Sequence, residues 1–260
     1  SDKEHAATTY KHTYGFHPSF PELQPLFNED KLAVVFNVGT LVQPTTKAQY
    51  EAASVPLPPR LFSHNDQQSV WQASNPEGAT SGWGGRMGDL FVSGNGGAIF
   101  TAVSVTGNAV YLSGRSAVQY QVTSSGSIAV QGLGDVFGSW QAAQGMRSLM
   151  SIAPAGDRVE AEHARVMQRS IDADATLRGA LGAPPANFPA TNLGKQLAMV
   201  ARMIAARDQL AVKRQVFFVS LGGFDTHDSL AADHPGLLTQ VADALAAFDA
   251  QMAAQGTSSQ

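Results

Sequence analysis

The chain has 260 residues, 43% of them hydrophobic and 15% charged, with a formal net charge of −4 and no cysteine. That length and composition suit one large globular domain and exclude a disordered tail or a coiled coil, while the lack of cysteine excludes disulfides, thiolate metal sites and a cysteine nucleophile. Basic residues are scattered, so no nucleic-acid surface is expected, and no apolar run approaches the roughly 18 residues of a membrane span.

The polar lead-in as far as Ser19 carries His5, His12 and His17 and reads as irregular. Phe20-Pro21-Glu22-Leu23 predicts a short helix, because proline is accommodated in a first turn. Residues 31–38 (KLAVVFNV) form a near-continuous apolar run bounded by Asp30 and Gly39, the pattern of a strand buried on both faces. Thr46 with Gln49 three residues on makes a capping box for a helix reaching about Ala53, which the proline-rich stretch 56–59 ends. Residues 63–73 (SHNDQQSVWQA) read as a helix with Ser63 in the cap position.

From 93 to 132 the texture changes to Gly, Ser, Val and Thr. A strand at 98–105 and a twisted hairpin at 118–130, with Gly126 at its turn, predict a small antiparallel insertion beside the main sheet. Val159, Val166, Met167 and Ile171 then recur at helical spacing, with Glu162, Arg165, Arg169 and Asp172 opposite. His163 falls on the apolar side, as a partly buried packing residue would. A further helix runs over about 193–210. Residues 215–221 (QVFFVSL) make a second mostly apolar strand, and the helix after it carries Leu237, Val241, Leu245, Phe248 and Met252 along one stripe. Apolar strands separated by helices predict a layered α/β domain with a largely parallel sheet, in which 31–38 and 215–221 are central, parallel strands.

The strongest chemical signal is Gly222-Gly223-Phe224-Asp225-Thr226-His227, with His234 seven residues further on. It follows a buried strand, where open α/β sheets place their ligands, and the two glycines permit a sharp turn. Asp225 and His227 are two apart, so an extended loop points both the same way, and Pro235 in a first helical turn would put His234 near the cap. One carboxylate and two imidazoles suit Zn²⁺, Mn²⁺ or Fe, although Asp and His are also ordinary loop and cap residues. Ser63-His64-Asn65-Asp66 is the second candidate. A serine at a helix start lies beside free amides that hold a phosphate or sulfate oxyanion, and the same serine serves equally as a plain cap. Arg86, in Gly82-Trp83-Gly84-Gly85-Arg86, has the guanidinium to clamp an anion or to make a surface ion pair.

The stretches 32–43 (LAVVFNVGTLVQ), 61–68 (LFSHNDQQ), 82–86 (GWGGR) and 222–227 (GGFDTH), followed by His234-x-x-Leu-Leu, resemble in order and character the DUF1501 proteins, a set of usually exported bacterial proteins. The resemblance implies an alkaline phosphatase/sulfatase-like fold and periplasmic or secreted location. It also implies a metal-dependent hydrolysis of small anionic phosphate or sulfate esters. By that similarity Asp225, His227 and His234 would be ligands of a divalent metal, Zn or Mn, and Ser63 the nucleophile; His64, Asn65 and Arg86 are the candidate binding residues for the substrate. Family members open on a strand ending in Gly-Gly-Asn-Asp and continue beyond the last helix. Neither part has a counterpart here, so residues 1–260 are expected to be a single, incomplete domain of such a protein. A non-catalytic exported binding or assembly protein retaining the fold is the alternative. The sequence leaves substrate, metal and oligomeric state open.

Overall fold

The computed structural model describes residues 15–36, 38–96, 99–130, 133–152 and 157–257. His5 and His12 lie outside them, as do position 98 of the expected 98–105 strand and positions 131–132 of the 93–132 stretch. Among the described residues, α/β structure is built from eight α-helices and one four-stranded sheet.

The first helices form where their caps predict. Helix α1 spans Leu23–Asn28, and α2 spans Lys47–Glu51 behind a complete Thr46/Gln49 capping box. Helix α3 spans His64–Ala73 with Ser63 as its N-cap, and α4 spans Trp83–Val92. The glycines of α4 serve close approach. A Cβ added at Gly82, Gly84 or Gly85 would run into the segment 110–114, so this face of the helix can meet a chain that any larger residue would hold off.

Strand β1 (Ala102–Ser104) is the middle of the sheet. It pairs in parallel with β2 (Gln119–Thr123) on one side and β4 (Val216–Phe218) on the other, and β2 turns back antiparallel into β3 (Gly126–Ser127). The strand order is β3-β2-β1-β4. Helices α5 (Trp140–Ser151), α6 (Arg158–Ala180) and α7 (Asn192–Ala205) connect β3 to β4, and α8 (Leu230–Ala254) follows. Alternation along the strands sorts two cores. Val103, Val105 and Phe217 face Leu177 of α6 and Met199, Val200 and Met203 of α7. Ala102, Val216 and Phe218 face Leu112, Ala117 and the end of α4. The sheet is therefore covered on both faces, which explains strands too apolar to tolerate water on either side.

Four expectations need correction. Residues 32–36 and 38 take no strand pairing, and Val35 is 77% and Phe36 53% exposed; position 37 lies outside the described residues. The ends of the run are tied to two helices, Lys31 to Asp249 of α8 at 3.7 Å and Thr40 to Gln67 of α3 at 2.5 Å. Those ties lead the run across the surface instead of into the sheet. Second, β4, expected to be central and parallel to 31–38, pairs in parallel with β1 instead and ends the sheet. Third, the 93–132 stretch does not stand beside the sheet: it supplies three of the four strands, and Gly126 opens β3 after a turn at Ser124 and Ser125. Fourth, the side of α6 that carries Val159 and His163 faces solvent, with Val159 80% exposed and His163 exposed; burial is carried by Ala164, Ile171, Asp174 and Leu177.

Candidate functional site

Two segments far apart in sequence meet beyond the carboxyl end of β4. The first is the 222–227 loop. Gly223 takes φ +95°, a region closed to most residues, and its Cα lies so near Leu237 of α8 that an added Cβ would stand 3.2 Å from that side chain. His227 takes φ +43° although it carries a side chain. Such a backbone is held at a cost of order 1–3 kcal/mol and persists only where its surroundings over-determine it. The Ser229 amide donates to the Thr226 carbonyl at 2.8 Å and closes the loop onto α8.

The second segment is the start of α3. Arg60 and Phe62 both adopt positive φ, +50° and +77°, and so turn the chain abruptly into Ser63. The Ser63 hydroxyl oxygen accepts from the Asp66 amide at 3.4 Å, and its carbonyl accepts from Gln67 N at 2.9 Å. Asp66 is buried. The Ser63 hydroxyl holds its carboxyl below the usual carboxylate range, aided by the Glu77 amide at 3.1 Å and the Arg60 guanidinium at 3.6 Å, against the opposing effect of burial. The serine is thus a cap in this structure, oriented by a carboxylate within its own helix.

The two segments touch through side chains. Asp225 receives His227 Nε2 at 3.1 Å on Oδ1 and His64 Nε2 at 3.8 Å on Oδ2. All three are well exposed, at 63% for Asp225, 74% for His227 and 73% for His64. Asn65 is exposed in the first turn of α3. The structure therefore brings Ser63, His64, Asp225 and His227 to one rim. It leaves His234 and Arg86 out of that group. Helix α8 begins at Leu230, one turn before Pro235, so His234 lies inside the helix instead of at its cap. Its ring stands edge-on to Phe224 and His17, with centroids 6.1 and 5.9 Å away. Arg86 sits on α4 and reaches the Ser81 carbonyl at 3.5 Å.

Among the described residues no group of three or more His, Asp or Glu side chains converges as a metal site requires. The donor types beside Asp225 are those of Zn or Mn sites, but each imidazole pairs with its own carboxylate oxygen and no common point lies between them. This arrangement does not fit a closed metal centre.

A model of the family described as "Protein of unknown function (DUF1501)" matches residues 2–259, nearly the whole chain. The chain belongs to the DUF1501 family. No curated protein and no solved structure matches it. In this DUF1501 chain the family-like stretches 61–68 and 222–227 are the two that meet at the rim, whereas 82–86 forms the first turn of α4 and packs against 110–114. Sequence reasoning missed the role of Gln196, a half-hidden signal: one amide on the otherwise apolar face of α7 formed by Leu193, Leu197 and Val200. Among the described residues no helix is long and apolar enough to cross a membrane.

Proposed function

We propose that this DUF1501 chain recognises small phosphate or sulfate esters at the rim between α3 and the 222–227 loop, and that it is hydrolase-like. The observation that carries the reading is the meeting of His64 and His227 on the two oxygens of Asp225, beside the N-terminus of α3. Two imidazoles gathered around one carboxylate bring ring nitrogens to one place, where hydrogen bonds can hold the oxygens of an anion. The first-turn amides of α3 add the positive end of a ten-residue helix. Ser63, at the head of that helix, would present its hydroxyl to the ester once it leaves Asp66. Alkaline phosphatase/sulfatase-like layering and export to the periplasm or beyond belong to the same proposal and rest on the family resemblance. No step is assigned to a metal, because the donors do not converge.

A second reading, a non-catalytic binding or assembly protein, is favoured by a specific observation. The rim is open, with the side chains of His64, Asp225 and His227 more than 60% exposed, whereas a preorganised catalytic centre gains from enclosure, which strengthens its electrostatic contacts. A recess of about 460 Å³ does exist nearby in sequence, lined by Thr40, Trp71, Pro76 and Trp83, but none of the rim residues lines it.

The test is a panel of aryl phosphate and aryl sulfate esters, each assayed with and without added Zn²⁺ or Mn²⁺, alongside orthovanadate binding followed by vanadium NMR. Turnover abolished by Ser63→Ala supports the hydrolase reading. Vanadate binding without turnover supports the second. Neither binding nor turnover overturns both.

A further inference from the structure

We infer that Gln196 is a positioning residue that holds the Asp225–His227 loop at the rim by standing in for a strand neighbour of Ser220. Its functional consequence rests on the proposed reading of the rim; the structural claim does not.

The ladder between β1 and β4 ends at the Ser104–Phe218 pair, with Val105 N donating to Phe218 O at 3.0 Å. Beyond that point the chain has left the sheet, yet the backbone of Ser220 keeps two good hydrogen bonds. The Gln196 side chain donates through Nε2 to Ser220 O at 3.0 Å and accepts from Ser220 N at 2.9 Å through Oε1. This is the donor-and-acceptor pattern a neighbouring strand would offer, supplied by one amide from α7. On its other side Ser220 is pinned through its hydroxyl, 2.7 Å from that of Thr106 at the end of β1. Ser220 is therefore clamped from a helix and from the bend that follows β1, and five residues later the chain presents Asp225 to His64.

Gln196 itself is 6% exposed and lies between Leu193, Leu197 and Val200 on the buried face of α7. Burying an amide there costs free energy unless both its ends are paired, and a methionine or leucine would fill the same space without that condition. The polar group serves the two backbone atoms of Ser220 and nothing else on that face. Between Ser220 and Thr226 the loop contains Gly222 and Gly223, which add freedom, so the clamp at Ser220 sets where the loop starts.

The test uses the full chain and NMR. With Gln196 in place, Asp225→Asn should shift the His64 ring resonances, reporting their contact. With Gln196→Met, the Ser220 amide should lose protection from exchange by tenfold or more, and His64 should cease to respond to Asp225→Asn, while amides of Val103 and Met199 keep their protection. Should Gln196→Met fail to fold, the protein with Gln196 in place provides a second measurement: the side-chain amide protons of Gln196 and the backbone amide of Ser220 should be protected from exchange together, and rapid exchange of either overturns the inference. Unchanged Ser220 protection, or an opened Ser220 amide with the His64 response intact, overturns the inference. A uniform loss of protection through the core overturns it too, since Gln196 would then support the whole fold and not the loop. Vanadate binding decides the reading of the rim separately, because none of these signals requires a ligand.

Discussion

His64 and Asp225 meet across the rim, Nε2 to Oδ2 at 3.8 Å, although one begins α3 and the other lies in the loop before α8. Both side chains are exposed, so the pair contributes little to stability, about 0–1 kcal/mol for a surface ion pair. Its consequence is for binding. Asp225→Asn is expected to leave the melting temperature nearly unchanged and to weaken orthovanadate by about tenfold, equivalent to ~1.4 kcal/mol, through loss of the carboxylate that gathers both imidazoles. Thermal melts and vanadium NMR on the same samples check both halves, and a variant that melts early with normal affinity would make Asp225 a structural residue.

Acid sensitivity should be concentrated in two carboxylates. Asp89 accepts from the amides of Ala117 at 2.8 Å, Arg115 at 2.9 Å and Ser116 at 2.8 Å, and these bonds hold its carboxyl below the usual carboxylate value of 3.8. Asp66 is depressed in the same direction by Ser63. A depressed carboxylate contributes stability in full above its unfolded value, and loses it as pH falls through the lower folded value. Asp89→Asn should therefore cost roughly 1–3 kcal/mol near neutrality, by leaving amides of 115–117 poorly paired. It should also flatten the decline of stability below about pH 4, as urea titrations at stepped pH would reveal.

Two glycine substitutions should have opposite signs. A methyl group at Gly85 would collide with the backbone of Ser113, which cannot yield without parting α4 from the segment 110–117. Gly85→Ala is expected to cost at least about 1–3 kcal/mol, as overpacking does. Gly179, in the last turn of α6, has nothing within 4 Å of where its Cβ would stand. Gly179→Ala should stabilise by about 0.5–1 kcal/mol through the helix preference of alanine. Denaturant midpoints measured in parallel decide both.

At the alkaline end, burial pushes the Tyr120 phenol up to about 12, with the nearby Asp174 charge adding to the effect. A raised value means stability that is whole below the unfolded value of 10.0 and is lost as pH rises towards 12. Burial raises Tyr111 as well, so absorbance of tyrosinate should reveal late-titrating tyrosine in the folded protein whose last step is absent in Tyr120→Phe. A Tyr120 that ionises with the exposed tyrosines would contradict its packing against Phe100.

Local chemistry was legible and long-range pairing was not. Thr46 with Gln49 and Ser63 with its helix were readable because a cap is decided within four residues. A largely parallel sheet followed from the apolar run of β4, but its partner β1 did not. The residues 31–38 misled for the same reason, since hydrophobicity reports that a segment seeks partners and not whether a strand edge is within reach. In the site, Asp225 and His227 were found from spacing along one loop. His64 as their neighbour, and His234 as an outsider, depended on how α3 and α8 are placed. Pro235 suggested a helix start one turn later than the one the chain adopts, because Ser229 and the Thr226 turn begin the helix first.

The pairing of Val103 with Phe217 has a consequence for how the molecule comes into being. Strands β1 and β2 are joined by a short connection and can meet soon after both are made, whereas β4 must wait for α5, α6 and α7 to be synthesised and folded back. Closing so large a loop costs entropy before any contact repays it, so the β1–β4 seam is a late and slow event. The clamp at Ser220 and the meeting of His64 with Asp225 both lie downstream of that seam. During synthesis the α3 half of the rim waits, its histidine without its carboxylate, until β4 and the 222–227 loop arrive. A nascent chain halted before β4 would hold three strands and most of the apolar core, and no rim at all.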